Sequence, residues 1–519
     1  MAARAAAMNG HHARSAALLA AIADAQPDQP DLLRKALAEA INSGRMDLAL
    51  GLAQKIPAAK LPNEARLLLA ADALKRNRLD RAQAWLAVRA DGGDLSFLTP
   101  LLTAWDAAQR GDAERALATI DAIPANTLLA PLKSEEQALV LLKFRRTADA
   151  EPFARRAIGT AGTRENRVRL ALADGFLAAG DRDRALMMIE GMGSDAAVAR
   201  QRVLAGKLSG QAIDTPLEAF SEVLTAFSGD LARMQRSAPP IGLMQVARYA
   251  NPQNSSAVAL LAVLLASQQR TEEALALLRS VSRDDALGAQ LRDVETKILS
   301  DDKRFNEAYA IAAAAAAAPN AGITDFSRLG DVFQAMKRSN DAANAYSRAV
   351  AMAHAQGLKS DLWPLLYLQA NALDQANRWP EAKQALQEAL TIAPEQPILL
   401  NFLGYAKLER GEDVDSAEAM IRKASELSPD EASITDSLGW AQYKRGKVAD
   451  AIATLQRAAE KDPDQAEIQE HLGDALFRSG RRFEARFAWQ AALITAEDDI
   501  TGRIKAKIAS GLMPANAAP

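Results

Sequence analysis

The 519-residue chain contains no cysteine. Disulfides, thiolate nucleophiles and cysteine-ligated metal sites are therefore excluded, and the absence suits a reducing or an oxidising compartment equally. Histidine is scarce: His11, His12, His354 and His471 are the four. None stands with an Asp or a second His at ligand spacing on one helix face, so no metal site is expected. No glycine-rich phosphate loop is present, because "GTAG" at Gly159 to Gly162 lacks both the lysine and the preceding strand. These gaps leave no catalytic residues and no cofactor to expect, and a non-enzymatic chain is the reading. No run reaches the 18 apolar residues of a membrane-spanning helix. Aromatics are only 5% and the formal charge is -3. No basic excess advertises nucleic acid, so none is expected as a partner.

What the chain has is a ladder of small residues. In "DSLGWAQYKRGKVADAIATLQRAAEKDP" (436–463), Gly439 is followed by Ala451 and Ala458 and the stretch is closed by Pro463. The next segment repeats this with Gly473, Ala485 and Ala492, and the preceding one with Gly404, Ala417, Ala424 and Pro429. From Ala342 the first alanine of each unit advances by 40, 35, 34 and 34 residues through Ala382, Ala417, Ala451 and Ala485. Ala308 and Ala274 precede it at steps of 34, and Ala16, Ala49, Ala82, Ala116, Ala150 and Ala185 are spaced by 33 to 35. A period held this long is an internal repeat.

Each unit reads as two amphipathic helices joined by a short polar turn with Gly or Asn. Glycine there ends a helix in the left-handed region. Two helices approach closely only where side chains are small, and proline cannot continue the helix it follows. One hairpin cannot bury its apolar face alone, whereas a stack can. The expectation is an all-α solenoid of about 14 hairpins. Its segments are degenerate repeats over 1–196, an irregular unit or bend over 197–256, repeats over 257–355, regular repeats over 356–498, and a solvating cap helix with a loose tail over 499–519. The phase breaks between Ala219 and Ala274, around Pro239, Pro240 and Pro252, and again around Gly357.

The pattern resembles the tetratricopeptide repeat (TPR), closely over 323–498 and in phase but degenerate over 1–196. Ala370 replaces the family glycine, and His354 stands where proline is usual. The resemblance implies a right-handed superhelix and a protein or peptide partner held on a groove lined by the first helices. Transferred unit by unit, the groove positions are Trp105 in the N-terminal half, then Tyr367, Asn371, Asn401, Tyr405, Asp436, Trp440, Tyr443, Glu470, Asp474 and Phe477. Tyr405 and Trp440 are expected at the surface, Trp489 in the core. The cationic set with which some TPR proteins hold a terminal carboxylate is missing. The C-terminal repeats look like those of large bacterial TPR proteins of the cell envelope. That likeness implies an interaction scaffold or, as the alternative, an assembly or regulatory component of an envelope export complex for polysaccharide or outer-membrane material. Counting back from Ala16, Met1 falls inside a first helix, so upstream residues are expected. With a leader removed, the setting would be periplasmic or outer-membrane associated; without one, cytoplasmic.

Overall fold

A computed structural model of the chain describes residues 1–26, 28–89, 93–192, 196–208, 212–234, 239–282, 285–358 and 362–518. Among them are thirty α-helices and no strand. Residues 235–238 and 359–361, at the two breaks of phase, lie outside the described residues. The helices form two units, Met1–Thr324 and Asp325–Pro519, each a solenoid of stacked hairpins.

The alanine ladder is the seam of every hairpin. Ala49, Ala82, Ala116, Ala150, Ala185, Ala219, Ala274, Ala308, Ala342, Ala382, Ala417, Ala451 and Ala485 are each the fourth residue of a helix, and each has no exposed surface. A larger side chain at this point would push the two helices of the hairpin apart. In Ala432–Lys444, packed on Val448–Lys461, Gly439 faces the same seam: a Cβ there would stand 2.6 Å from Leu455 Cγ. The turn between them is made by Gly446 at φ 75°, where a side chain would be strained. Elsewhere the same turn position takes Asn77, Arg145, Gln269, Lys303, Lys337 or Asn377 in the left-handed region without a glycine. The repeat survives loss of the turn glycine because the seam, not the turn, holds the hairpin.

The first unit contains a return that the period does not announce. The 19-residue helix Pro216–Met234 packs on the first helices Thr99–Gln109 and Asn63–Lys75. The helix Ile241–Ala250 follows it onto Asn63–Lys75 and Pro30–Asn42. The stretch expected as a bend thus folds back over the face of the N-terminal first helices. Tyr249 Oη donates to Asp72 Oδ1 at 3.1 Å, while the Lys75 ammonium donates to the Tyr249 carbonyl at 3.2 Å. Burial, reinforced by the Asp72 carboxylate, pushes the Tyr249 hydroxyl up to about 12. Arg270 donates to the Asn42 carbonyl at 3.1 and 3.2 Å, neutralising the C-terminal end of Pro30–Asn42.

Beneath this cover lies a buried polar cluster. Arg167 reaches Glu135 and Glu222 at 2.8 Å each, and Arg164 reaches the same two carboxylates at 2.9 and 3.3 Å. Trp105 is fully buried, and its indole N–H donates to Glu136 Oε2 at 2.6 Å. Burial and the neighbouring Glu135 carboxylate raise Glu136 to about 8, although the Trp105 hydrogen bond and Arg167 pull the other way.

Two outcomes test this packing. Gly439→Val forces a branched side chain into the seam and is expected to cost about 1–3 kcal/mol, read as a lower urea midpoint with unchanged slope. An unchanged midpoint would contradict the close approach. Folded Glu136 holds its proton to about pH 8, whereas the unfolded chain releases it near 4.5. The folded state therefore binds more protons across that interval, and stability falls as pH rises through it. Glu136→Gln removes that contribution. Relative to the unmodified chain the variant should gain stability as pH rises from 4.5 to 8, by up to ~1.4 kcal/mol per pH unit. A difference independent of pH, measured by urea denaturation, would contradict the assignment.

Candidate functional site

In the second unit the first helices Leu362–Gln375, Pro397–Glu409, Ala432–Lys444 and Ala466–Arg478 stand side by side. They enclose a cleft of about 850 Å³ that runs from their N-terminal ends as far as Asn371 and Tyr405. Its walls are apolar and aromatic, with Trp363, Tyr367, Phe402 and Ile434 contributing, and the Tyr367 and Phe402 rings meet edge to face at 5.8 Å. Among the described residues its polar groups are amides, hydroxyls and the carboxylates Glu431, Asp436 and Glu467, with no Lys or Arg in the lining.

Five residues singled out by their sequence positions converge here: Tyr367, Asn371, Asn401, Tyr405 and Asp436. Asn371 Oδ1 accepts from Gln334 at 3.1 Å and from Gln375 at 3.0 Å, so its orientation is fixed. Asn401 Oδ1 and Asp436 Oδ1 are buried acceptors without a hydrogen-bond partner in the protein. Such atoms are costly unless a ligand or water supplies a donor. The other oxygen of Asp436 is 2.9 Å from His471 Nδ1. Burial disfavours the imidazolium, but Asp436, with Glu467 and Asp474, outweighs it and leaves His471 raised. Tyr405 is half-buried, and desolvation together with the carboxylates of Glu467, Glu409 and Asp436 raises its hydroxyl, which stays a neutral donor.

Other expected groove residues lie elsewhere. Trp440 is 1% exposed, correcting the expectation of a surface residue. Its ring is sandwiched between His471 at 4.0 Å and Tyr443 at 4.7 Å, both nearly parallel, and its N–H donates to Glu409 at 3.2 Å. Tyr443 is buried in the same stack. These rings are cement between successive first helices. Trp105, at the corresponding position of the first unit, is also buried: its N–H is taken by Glu136 on the next first helix, and its own helix packs under Pro216–Met234. Trp489 is core, as its position in the second helix implies.

Glu470, Asp474 and Phe477 are covered by the chain's own C-terminus. The helix Asp498–Ser510 docks on the last hairpin and buries Lys507 completely. Lys507 Nζ lies 2.6 Å from Glu470 and 2.7 Å from Asp474, and Arg503 holds Glu470 at 2.8 Å. A buried ammonium is tolerated because both carboxylates pair with it. Phe477 is only partly exposed and packs on Trp489 at 5.5 Å. The tail expected to be loose is ordered: Asn516 Nδ2 donates to the Gly511 carbonyl at 3.0 Å, and the Ala518 N–H reaches Asp474 at 3.3 Å.

Lining residues at the helix starts were not anticipated. Gln396, Glu431 and Gln465 recur at steps of 35 and 34 and are the N-caps of their helices. The period contained that signal.

Residues 367–432 and 437–499 match the family model of the tetratricopeptide repeat. A comparison with curated proteins gives no match. Among solved structures, the chain is similar to the APC/C hetero-tetramer Cut9-Hcn1, at 14% identity and TM-score 0.42, over 98% of this chain and 95% of that one. A tetratricopeptide repeat protein from Parabacteroides merdae aligns at 15% identity and TM-score 0.39, covering 49% of this chain and 96% of its own. YrrB, described as a TPR protein with an unusual peptide-binding site, aligns at 18% identity and TM-score 0.27, covering 35% and 91%. Repeats of this type generally serve as non-enzymatic scaffolds for protein–protein interaction. The family match covers the C-terminal hairpins, so the chain carries tetratricopeptide repeats over 367–432 and 437–499.

Proposed function

We propose that this scaffold holds a peptide segment of its partner in the cleft between Trp363 and Glu467, and that the segment pairs apolar side chains with Lys, Arg or free backbone N–H groups. The observation that carries the reading is the pair of buried, unpartnered acceptors, Asn401 Oδ1 and Asp436 Oδ1, at the base of an aromatic cleft. Both ask for donors, and a peptide offers them at regular spacing. Among the described residues the lining adds three carboxylates and no cation, which favours a positively charged segment over an acidic one. A volume of about 850 Å³ is ample for two or three side chains. The aromatic walls supply apolar anchors with little ordering cost, since each ring has few rotatable bonds.

Selection of displayed random peptides on the full chain tests the reading. Bound sequences should combine apolar residues with Lys or Arg, and their affinity should fall with added salt. Asn401→Ala with Tyr367→Ala should weaken the selected peptides by roughly tenfold or more, with helicity by circular dichroism unchanged. Selection of acidic peptides, or equal affinity for the double variant, would contradict it.

A further inference from the structure

The last second helix, Arg482–Thr495, carries an apolar stripe on its outer side. Phe483, Phe487 and Ile494 are 75%, 57% and 84% exposed, and the two phenyl rings meet edge to face at 4.8 Å. At 3.6 residues per turn the three lie within about 40° of one another around the helix. The opposite side is the seam, where Ala485, Trp489 and Ala492 are fully buried.

The preceding hairpins do not share the stripe. Counting from the ladder alanine, Phe483, Phe487 and Ile494 correspond to Ala449, Ala453 and Glu460, to Asp415, Ala419 and Glu426, and to Pro380, Gln384 and Thr391. The repeat therefore does not require large apolar groups at these positions. Three together on one exposed helix face are the mark of an interaction surface.

At the start of this helix Arg481 and Glu484 pair with each other, which leaves Arg482 and Arg486 as the charges beside the stripe. Arg482 and Arg486 flank the stripe on one side of its N-terminal half, exposed. Glu497, also exposed, follows its C-terminal end, and Asp464 is brought to that end by the hydrogen bond of Thr495 to its carbonyl at 2.6 Å. A two-fold axis near residue 489 turns one helix antiparallel to its copy and keeps like flanks on like sides. Phe487 then meets Ala491 of the other copy, Phe483 meets Ile494, and the arginines approach Glu497. The surface complements itself in shape and in charge, as a two-fold contact requires.

We infer that two copies of the chain associate through antiparallel pairing of the Arg482–Thr495 helices. One helix face per copy is less than the roughly 800 Å² per partner of a standard interface, so the dimer is weak and concentration-dependent. The surface is separate from the cleft, whose lining ends at Glu467, so both can be engaged together and a dimer presents two clefts.

Sedimentation of the full chain over a range of concentrations tests this. A monomer–dimer equilibrium is expected, with Phe483→Glu plus Phe487→Glu sedimenting as a monomer of unchanged helicity. Arg482→Glu plus Arg486→Glu should weaken the dimer roughly tenfold, and adding Glu497→Arg should restore it. Because the chain has no cysteine, orientation is read directly with a short bis-maleimide. Gln490→Cys, beside the axis, should cross-link to its copy, whereas Arg482→Cys, about 21 Å from its copy along the helix axes, should not. A monomer at every concentration, a dimer indifferent to Phe483 and Phe487, or equal cross-linking at 482 and 490 would overturn the inference.

Discussion

The fold depends on one contact: an alanine methyl of each hairpin's second helix set against its first helix with no room for anything larger. From Ala16 to Ala485, thirteen such alanines have no exposed surface, and Ala219 on the returning helix Pro216–Met234 is buried likewise. A close-packed seam fixes how near two helices lie, and hence which of their other side chains face inward and outward. Once that distance is set in each hairpin, hairpins of similar length stack on one another. The turn residues are free to vary between glycine, asparagine and lysine because they end the helices and do not set the spacing.

Stacking leaves the first helices with an uncovered side, and the chain treats it in three ways. In the first unit the helices Pro216–Met234 and Ile241–Ala250 return over it, with Tyr249 and Gln245 reaching back to Asp72 and the Asn42 carbonyl. At the end of the second unit, Asp498–Ser510 lays Lys507 between Glu470 and Asp474. Between Trp363 and Glu467 the side is a cleft whose buried acceptors lack partners. The first two faces are covered by the chain itself, the second with charge buried against counter-charge, although Gln245 Oε1 in the first has no hydrogen-bond partner. The third combines two unmet acceptors with aromatic walls and no covering element, and that combination sets it apart from a packing surface.

The hairpin architecture was legible in the sequence because a 34-residue period of small residues has a single mechanical cause. The site was legible in part. Tyr367, Asn371, Asn401, Tyr405 and Asp436 come together because groove positions recur with the ladder. Trp440 and Tyr443 are buried because a large ring at such a position can stack on its neighbours as well as face a ligand, and Trp105 because its helix lies under the return and its N–H meets Glu136; a local pattern does not distinguish these outcomes. His471, on the next first helix and 31 residues after Trp440, turned out to be the partner that decides the matter for that ring. Glu470, Asp474 and Phe477 are covered by residues beyond the last repeat, outside any periodic pattern. The return of 216–250 was likewise invisible, since the two prolines at 239 and 240 mark a break without saying where the next helix goes.

Amide hydrogen exchange of the full chain, alone and saturated with a selected cleft peptide, is the most direct measurement. Protection gained on binding should fall on the N-terminal halves of Leu362–Gln375, Pro397–Glu409 and Ala432–Lys444, with Asn63–Lys75 and Ala466–Arg478 past Glu470 unchanged. Protection gained instead at Thr99–Gln109 around Trp105, or along 470–478 with loss of the C-terminal helix, would contradict the division between filled and open faces.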